Sequence, residues 1–105
     1  ERIVKVVSIQ EARRFSLADV QRSALLEQGD LTAELLCFEA GQSAGPATHG
    51  GSVVYQVLEG EALVRAAGTT ERLGKGRLLA LAGGAEHELE NAGGGLLVVL
   101  AVRAA

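Results

Sequence analysis

"GPATHGGSVVYQVLEGEALV", Gly45 to Val64, carries the alternation that decides the fold. Val53, Tyr55 and Val57 would share one face of a strand, and Val54, Gln56 and Leu58 the other. Glu59-Gly60-Glu61 then reverses the chain into a second strand, Glu61 to Ala66, because glycine accepts positive φ without a Cβ clash. Just ahead of this pair, His49 stands between a proline-and-glycine loop and a β-branched strand. Metal ligands often occupy such a position, yet the usual companions are missing beside it.

The same rhythm extends in both directions. Downstream, Thr69 to Leu73, Leu78 to Leu81, Glu86 to Glu90 and Leu96 to Val102 read as short strands, separated by Gly68, Gly74-Lys75-Gly76, Gly83-Gly84 and Gly93-Gly94-Gly95. Upstream, Ser23 to Glu27 and Leu31 to Glu39 flank Gln28-Gly29-Asp30 as a hairpin, and Ile3 to Val7 reads as one more strand. A helical turn or two is expected only within Ser8 to Val20, where Ser16 and Asp19 give a weak capping signal. Many short strands at this spacing indicate an all-β sandwich or barrel, in one domain spanning residues 1–105.

Composition bounds the function. A chain of 105 residues with 48% hydrophobic and 22% charged residues is an ordinary globular domain. At this size folding buries roughly two-thirds of the chain's surface, so a partner subunit in a homo-oligomer would supply further apolar burial. The ten Lys and Arg are scattered, the net charge is -3, and the aromatics are only Phe15, Phe38 and Tyr55. Nucleic acid is therefore not an expected partner, since phosphate binding needs clustered cations and base stacking needs aromatics. Cys37 has no partner for an internal disulfide, and no apolar run would span a membrane as a helix. The expected compartment is the cytoplasm. Gly-x-Ser-x-Gly, Cys-x-x-Cys, phosphate-loop and dinucleotide patterns are all missing.

Two further sets of residues follow a known spacing. Gly41, Ala47-Thr48-His49, Val53 and Gly60 fall where the cupin superfamily's first motif has Gly, His-x-His, Glu and Gly. Gly76, Ala82, Gly84, His87 and Asn91 fall on its second motif, with Ala82 in place of a proline. The chain thus resembles a small cupin over about residues 31–102. That resemblance implies a double-stranded β-helix, or jelly-roll, barrel, with Gly41, Gly60, Gly76 and Gly84 at turns, and a homodimer, since single-domain cupins commonly associate through their sheets.

In metal-binding cupins three histidines and a glutamate hold the ion. Here Ala47 and Val53 occupy two of those positions, and neither side chain has a lone pair to donate. A metal would depend on His49 and His87 alone, a weak pair for a divalent transition ion. Tyr55 has the parity of Val53, so its phenol should also face inward and approach the histidines. Glu86, Glu88 and Glu90 should lie on the face opposite His87, and Cys37 reads as a small buried hydrophobe.

The leading expectation is a small-molecule-binding or sensing domain without a bound cofactor. Its interior pocket would be lined by His49, His87, Tyr55, Ala47 and Val53 and would take a modest organic ligand. The competing expectation is a metal-dependent dioxygenase, isomerase or lyase using His49 and His87 with a nonstandard third ligand. A third is a barrel serving subunit association alone, its interior filled by Leu and Val.

Overall fold

The computed structural model describes residues 3–105. After a 3-10 turn, Gln10–Ala12, nine strands follow. They are β1 (Gln21–Gln28), β2 (Leu31–Phe38), β3 (Ser43–Ala47), β4 (Val53–Glu59), β5 (Glu61–Ala66), β6 (Thr69–Gly74), β7 (Leu78–Leu81), β8 (His87–Asn91) and β9 (Leu97–Ala104). Antiparallel pairing assembles them into a five-stranded sheet, β1-β2-β9-β4-β7, and a four-stranded sheet, β3-β8-β5-β6. This is the expected all-β double-stranded β-helix architecture.

The interior lies between the sheets. Leu36, Phe38, Val57, Leu97 and Val99 from one sheet meet Ala62, Val64 and Leu89 from the other. The five-stranded sheet also buries part of its outer face: Leu35, Cys37 and Val98 lie under Ile9, Ala12 and Phe15 of the N-terminal segment. Because both faces are covered there, Leu35 to Phe38 is a continuous apolar run without alternation. This places Cys37 on the side away from the barrel interior. An Arg13–Glu59 ion pair fastens the covering segment to the end of β4.

Three local expectations are corrected. Ile3 to Val7 forms no strand: β propensity needs a partner for the backbone, and this stretch meets β1 through Lys5 Nζ on the Glu27 carbonyl and Gln28 Nε2 on that of Ile3, with no ladder among the described residues. The helical turn expected within Ser8 to Val20 does form, at Gln10–Ala12, but Ser16 and Asp19 do not cap it: they bond to the amides of Ala18 and Val20 in turns. The Gly45-Pro46 stretch, expected as loop, is strand β3. It is an edge strand with an irregular register between Ala44 and Ala47, the setting in which a sheet accepts proline.

Asn91 locks one end of the barrel. Its Nδ2 donates to the carbonyls of Glu39 at 3.0 Å and Gly95 at 2.8 Å, and its Oδ1 accepts from the Gly93 amide at 3.1 Å. This 3% exposed side chain thereby ties the end of β2 to the β8–β9 connection.

Candidate functional site

The other end of the barrel brings His49, Tyr55 and His87 together. His87 opens β8, facing Ala47 on β3 and Ala66 on β5. Tyr55 is central in β4, between Ala101 and Leu79. Both point inward from different sheets, as alternation requires, and each is 3% exposed. His49 lies in the β3–β4 loop, half-buried, its carbonyl accepting from the Gly84 amide at 2.8 Å. The His49 and His87 ring centroids are 5.4 Å apart, and Tyr55 stands edge-on to His87 at 5.5 Å.

Hydrogen bonding fixes the roles. His87 Nδ1 lies 2.9 Å from the Ala85 carbonyl, which can only accept, so Nδ1 carries the proton. Nε2 of the neutral ring is left with a lone pair, and the Tyr55 hydroxyl donates to it at 2.7 Å. Burial pushes the Tyr55 phenol up to about 12, which keeps it a neutral donor across the physiological range. His49 makes no side-chain hydrogen bond among the described residues. Its pKa lies below 6.5 because of desolvation first, then the Arg103 guanidinium and His87.

The sequence reading missed the charged members of this site. Arg22 on β1 and Arg103 on β9 both reach the Oε1 of Glu34 on β2, at 3.3 and 3.1 Å. Glu34 shares the inward parity of Leu36 and Phe38, a signal the strand pattern did contain. Arg22 was hidden by the irregular register between Ala24 and Leu26, which breaks the alternation along β1.

The cavity between the imidazoles is small. Ala47, His49, Tyr55 and His87 line it with Arg22 and Leu36, and its volume is about 10 Å³, room for one water at most. Val53 does not line it: this side chain is 2% exposed and packs in the core. Among the described residues, the space between the imidazoles is thus too small for an organic ligand, with Tyr55, Leu36 and Leu89 among its walls. Outside the cavity, sharing Arg22 and Ala44 with it, a cleft of about 330 Å³ opens between β1 and β3, lined also by Asp19, Val20, Ser43 and Gly45.

These residues do not fit a metal. Ala47 and Val53 offer no donor, the Nε2 of His87 already accepts from Tyr55, and no group of three His, Cys, Asp or Glu able to hold an ion occurs among the described residues. Glu88 and Glu90 point outward as expected and pair with Arg65 on β5 at 3.4 and 2.7 Å. No helix among the described residues is long and apolar enough to cross a membrane.

Residues 34–103 match the family described as "Cupin domain". Comparison with curated proteins gives no match. Among solved structures, the chain is similar to the TT1209 protein of Thermus thermophilus, with TM-score 0.88 and 24% identity over 96% of this chain and 97% of that one. It is similar also to an uncharacterized conserved protein with a double-stranded β-helix domain from Klebsiella pneumoniae, with TM-score 0.87 and 24% identity over 96% and 90%. A third likeness is to a cupin superfamily protein from Desulfitobacterium hafniense, with TM-score 0.81 and 18% identity over 99% and 93%. At these identities the structural likeness speaks for the fold.

Proposed function

The chain belongs to the cupin family, and from that premise we propose that it is a metal-free small-molecule-binding domain that takes a small organic anion at the mouth of its barrel. The observation that carries this reading is the asymmetry of the two imidazoles. Both nitrogens of His87 are engaged within the protein, whereas the ring of His49 has no hydrogen-bond partner among the described residues and stands at the mouth. Neutral imidazole offers one donor and one acceptor to a ligand. Arg22, about half exposed, spends one guanidinium nitrogen on Glu34 and keeps further N–H groups for a carboxylate. The adjoining cleft of about 330 Å³ is at the lower end of the range for small-ligand sites.

A thermal-shift screen of small mono- and dicarboxylates tests this, with His49→Ala and Arg22→Ala run alongside. The expected result is a rise in Tm with at least one carboxylate in the parent protein that both variants lose. If no carboxylate moves the parent's Tm, or the rise survives in both variants, the mouth is not the site. Metal content after incubation with iron, manganese, zinc, nickel and copper salts decides against the metal-dependent alternative. Stoichiometric metal that disappears in a His49→Ala, His87→Ala double variant would overturn the reading.

A further inference from the structure

Beside the mouth each sheet ends in an edge strand, β1 for the five-stranded sheet and β3 for the four-stranded one. The cleft of about 330 Å³ runs between these two edges, with Asp19 and Arg22 on one side and Ser43 and Gly45 on the other. An edge strand leaves the backbone groups of every second residue without a ladder partner. On β3 that residue is Ser43. The Gln42 carbonyl accepts from the Asn91 amide at 2.9 Å, so the next position, Ser43 opposite Glu90, turns its N–H and C=O away from β8 and toward the cleft. The Ser43 hydroxyl makes no hydrogen bond among the described residues.

Charges of opposite sign share this cleft. Arg22 spends one guanidinium nitrogen on Glu34 and keeps the others. Asp19 spends Oδ1 on the Val20 amide at 2.7 Å, and its Oδ2 has no partner among the described residues. Around the mouth the charges therefore balance, Arg22 and Arg103 against Glu34 and Asp19. A bare carboxylate seated on Arg22 would bring a like charge up to Asp19, and a bare amine seated on Asp19 would bring one up to Arg22. A molecule that carries both groups offsets both charges.

From this arrangement we infer that the ligand of the mouth is a free amino acid, its carboxylate on Arg22 and His49 and its ammonium on Asp19 and Ser43. An ammonium group has three N–H donors, and Asp19 Oδ2, the Ser43 hydroxyl and the Ser43 carbonyl match them in number. Neither end suffices alone: the Arg22 and His49 end selects a carboxylate, and the Asp19 end separates an amino acid from a plain carboxylate of the same length. The inference rests on the reading of the mouth as a carboxylate site and specifies what else the ligand must carry. Asp19 and Ser43 lie outside both glycine-and-histidine motifs, on the segment before β1 and at the start of β3.

Titration calorimetry near neutral pH, where amines are charged, tests it with matched probes: alanine, β-alanine and γ-aminobutyrate against propionate and butyrate, and against propylamine. The parent protein is expected to bind at least one of the amino acids on the order of tenfold more tightly than the carboxylate lacking its amino group, and more tightly than the amine. Asp19→Asn keeps an oxygen for the Val20 amide, so the turn is preserved, and should bring that ratio close to one. Arg22→Gln should lose amino acids and carboxylates alike. In amide NMR spectra of the parent, the bound amino acid should shift Val20, Ser43 and Gly45, which line the cleft. Equal binding of amino acid and carboxylate, or a preference that survives Asp19→Asn, would overturn the inference while leaving the carboxylate site in place. An amine that binds as well as the amino acid, or shifts confined to other amides, would overturn it outright. Binding of none of the probes would remove the carboxylate site as well.

Discussion

Replacing Tyr55 by phenylalanine removes one oxygen and tests the reading of the barrel's interior. The hydroxyl donates to His87 Nε2 at 2.7 Å, and both side chains are 3% exposed, so water cannot replace the lost donor at low cost. A typical hydrogen bond contributes about 1 kcal/mol net, but stranding a buried acceptor costs about 1–3 kcal/mol. The ring of His87 cannot turn away, because Nδ1 is held by the Ala85 carbonyl. A loss of about 2 kcal/mol is therefore expected, which for a domain of this size lowers Tm by on the order of 10 °C. Urea denaturation of the parent, Tyr55→Phe, His87→Leu and the double variant gives the coupling between the two side chains directly. Coupling of at least about 1 kcal/mol is expected. A Tyr55→Phe protein as stable as its parent, or a cycle that closes additively, would refute the claim that this bond joins the sheets.

Other outcomes follow from the same geometry. Asn91→Ala removes the donors to the Glu39 and Gly95 carbonyls and the acceptor for the Gly93 amide, and should cost about 3 kcal/mol in denaturant unfolding, chiefly from groups left buried and unpaired. Gly60→Ala must hold φ at +87° with its Cβ only 2.3 Å from the Leu96 carbonyl oxygen, so it should lose more than the ~1–2 kcal/mol of a left-handed alanine. Gly29→Ala, at φ +60° with open space around it, should stay within that range, and calorimetry of the pair separates strain from collision. His49 has a folded pKa below 6.5, so the unfolded chain binds its proton more readily. Stability is thus full above pH 6.5 and falls as pH drops through the folded pKa; His49→Ala should flatten that part of the Tm-versus-pH profile.

Much of the fold was legible because glycine and alternation are local signals. Val53 to Glu59 and its turn at Gly60 could be read from neighbouring residues, as could the hairpin around Gly29. What could not be read depended on partners distant in sequence. Ile3 to Val7 has strand composition but no ladder to join, and Gly45-Pro46 has loop composition yet pairs with β8. Parity correctly sent Tyr55 inward toward the histidines. It did not reveal that the phenol fills the space expected for a ligand. Nor could it reveal that the phenol occupies the lone pair a metal would use, since that rests on a distance between two sheets. Arg22 and Glu34 reach the site from strands outside the motif, and the β1 irregularity concealed the first of them.

The Tyr55–His87 bond also acts as a ratchet against acquiring a four-ligand metal site. Building the ligand set of metal-binding cupins here takes Ala47→His, Val53→Glu and release of His87 from Tyr55, and no order of these steps is free of penalty. Glutamate at Val53 alone buries a carboxylate among apolar side chains; phenylalanine at Tyr55 alone strands a nitrogen. Histidine at Ala47 must enter a cavity of about 10 Å³ that Tyr55 helps to fill. Each change becomes tolerable only once the others are in place, so the barrel is held in its present chemistry by the same contact that closes its interior.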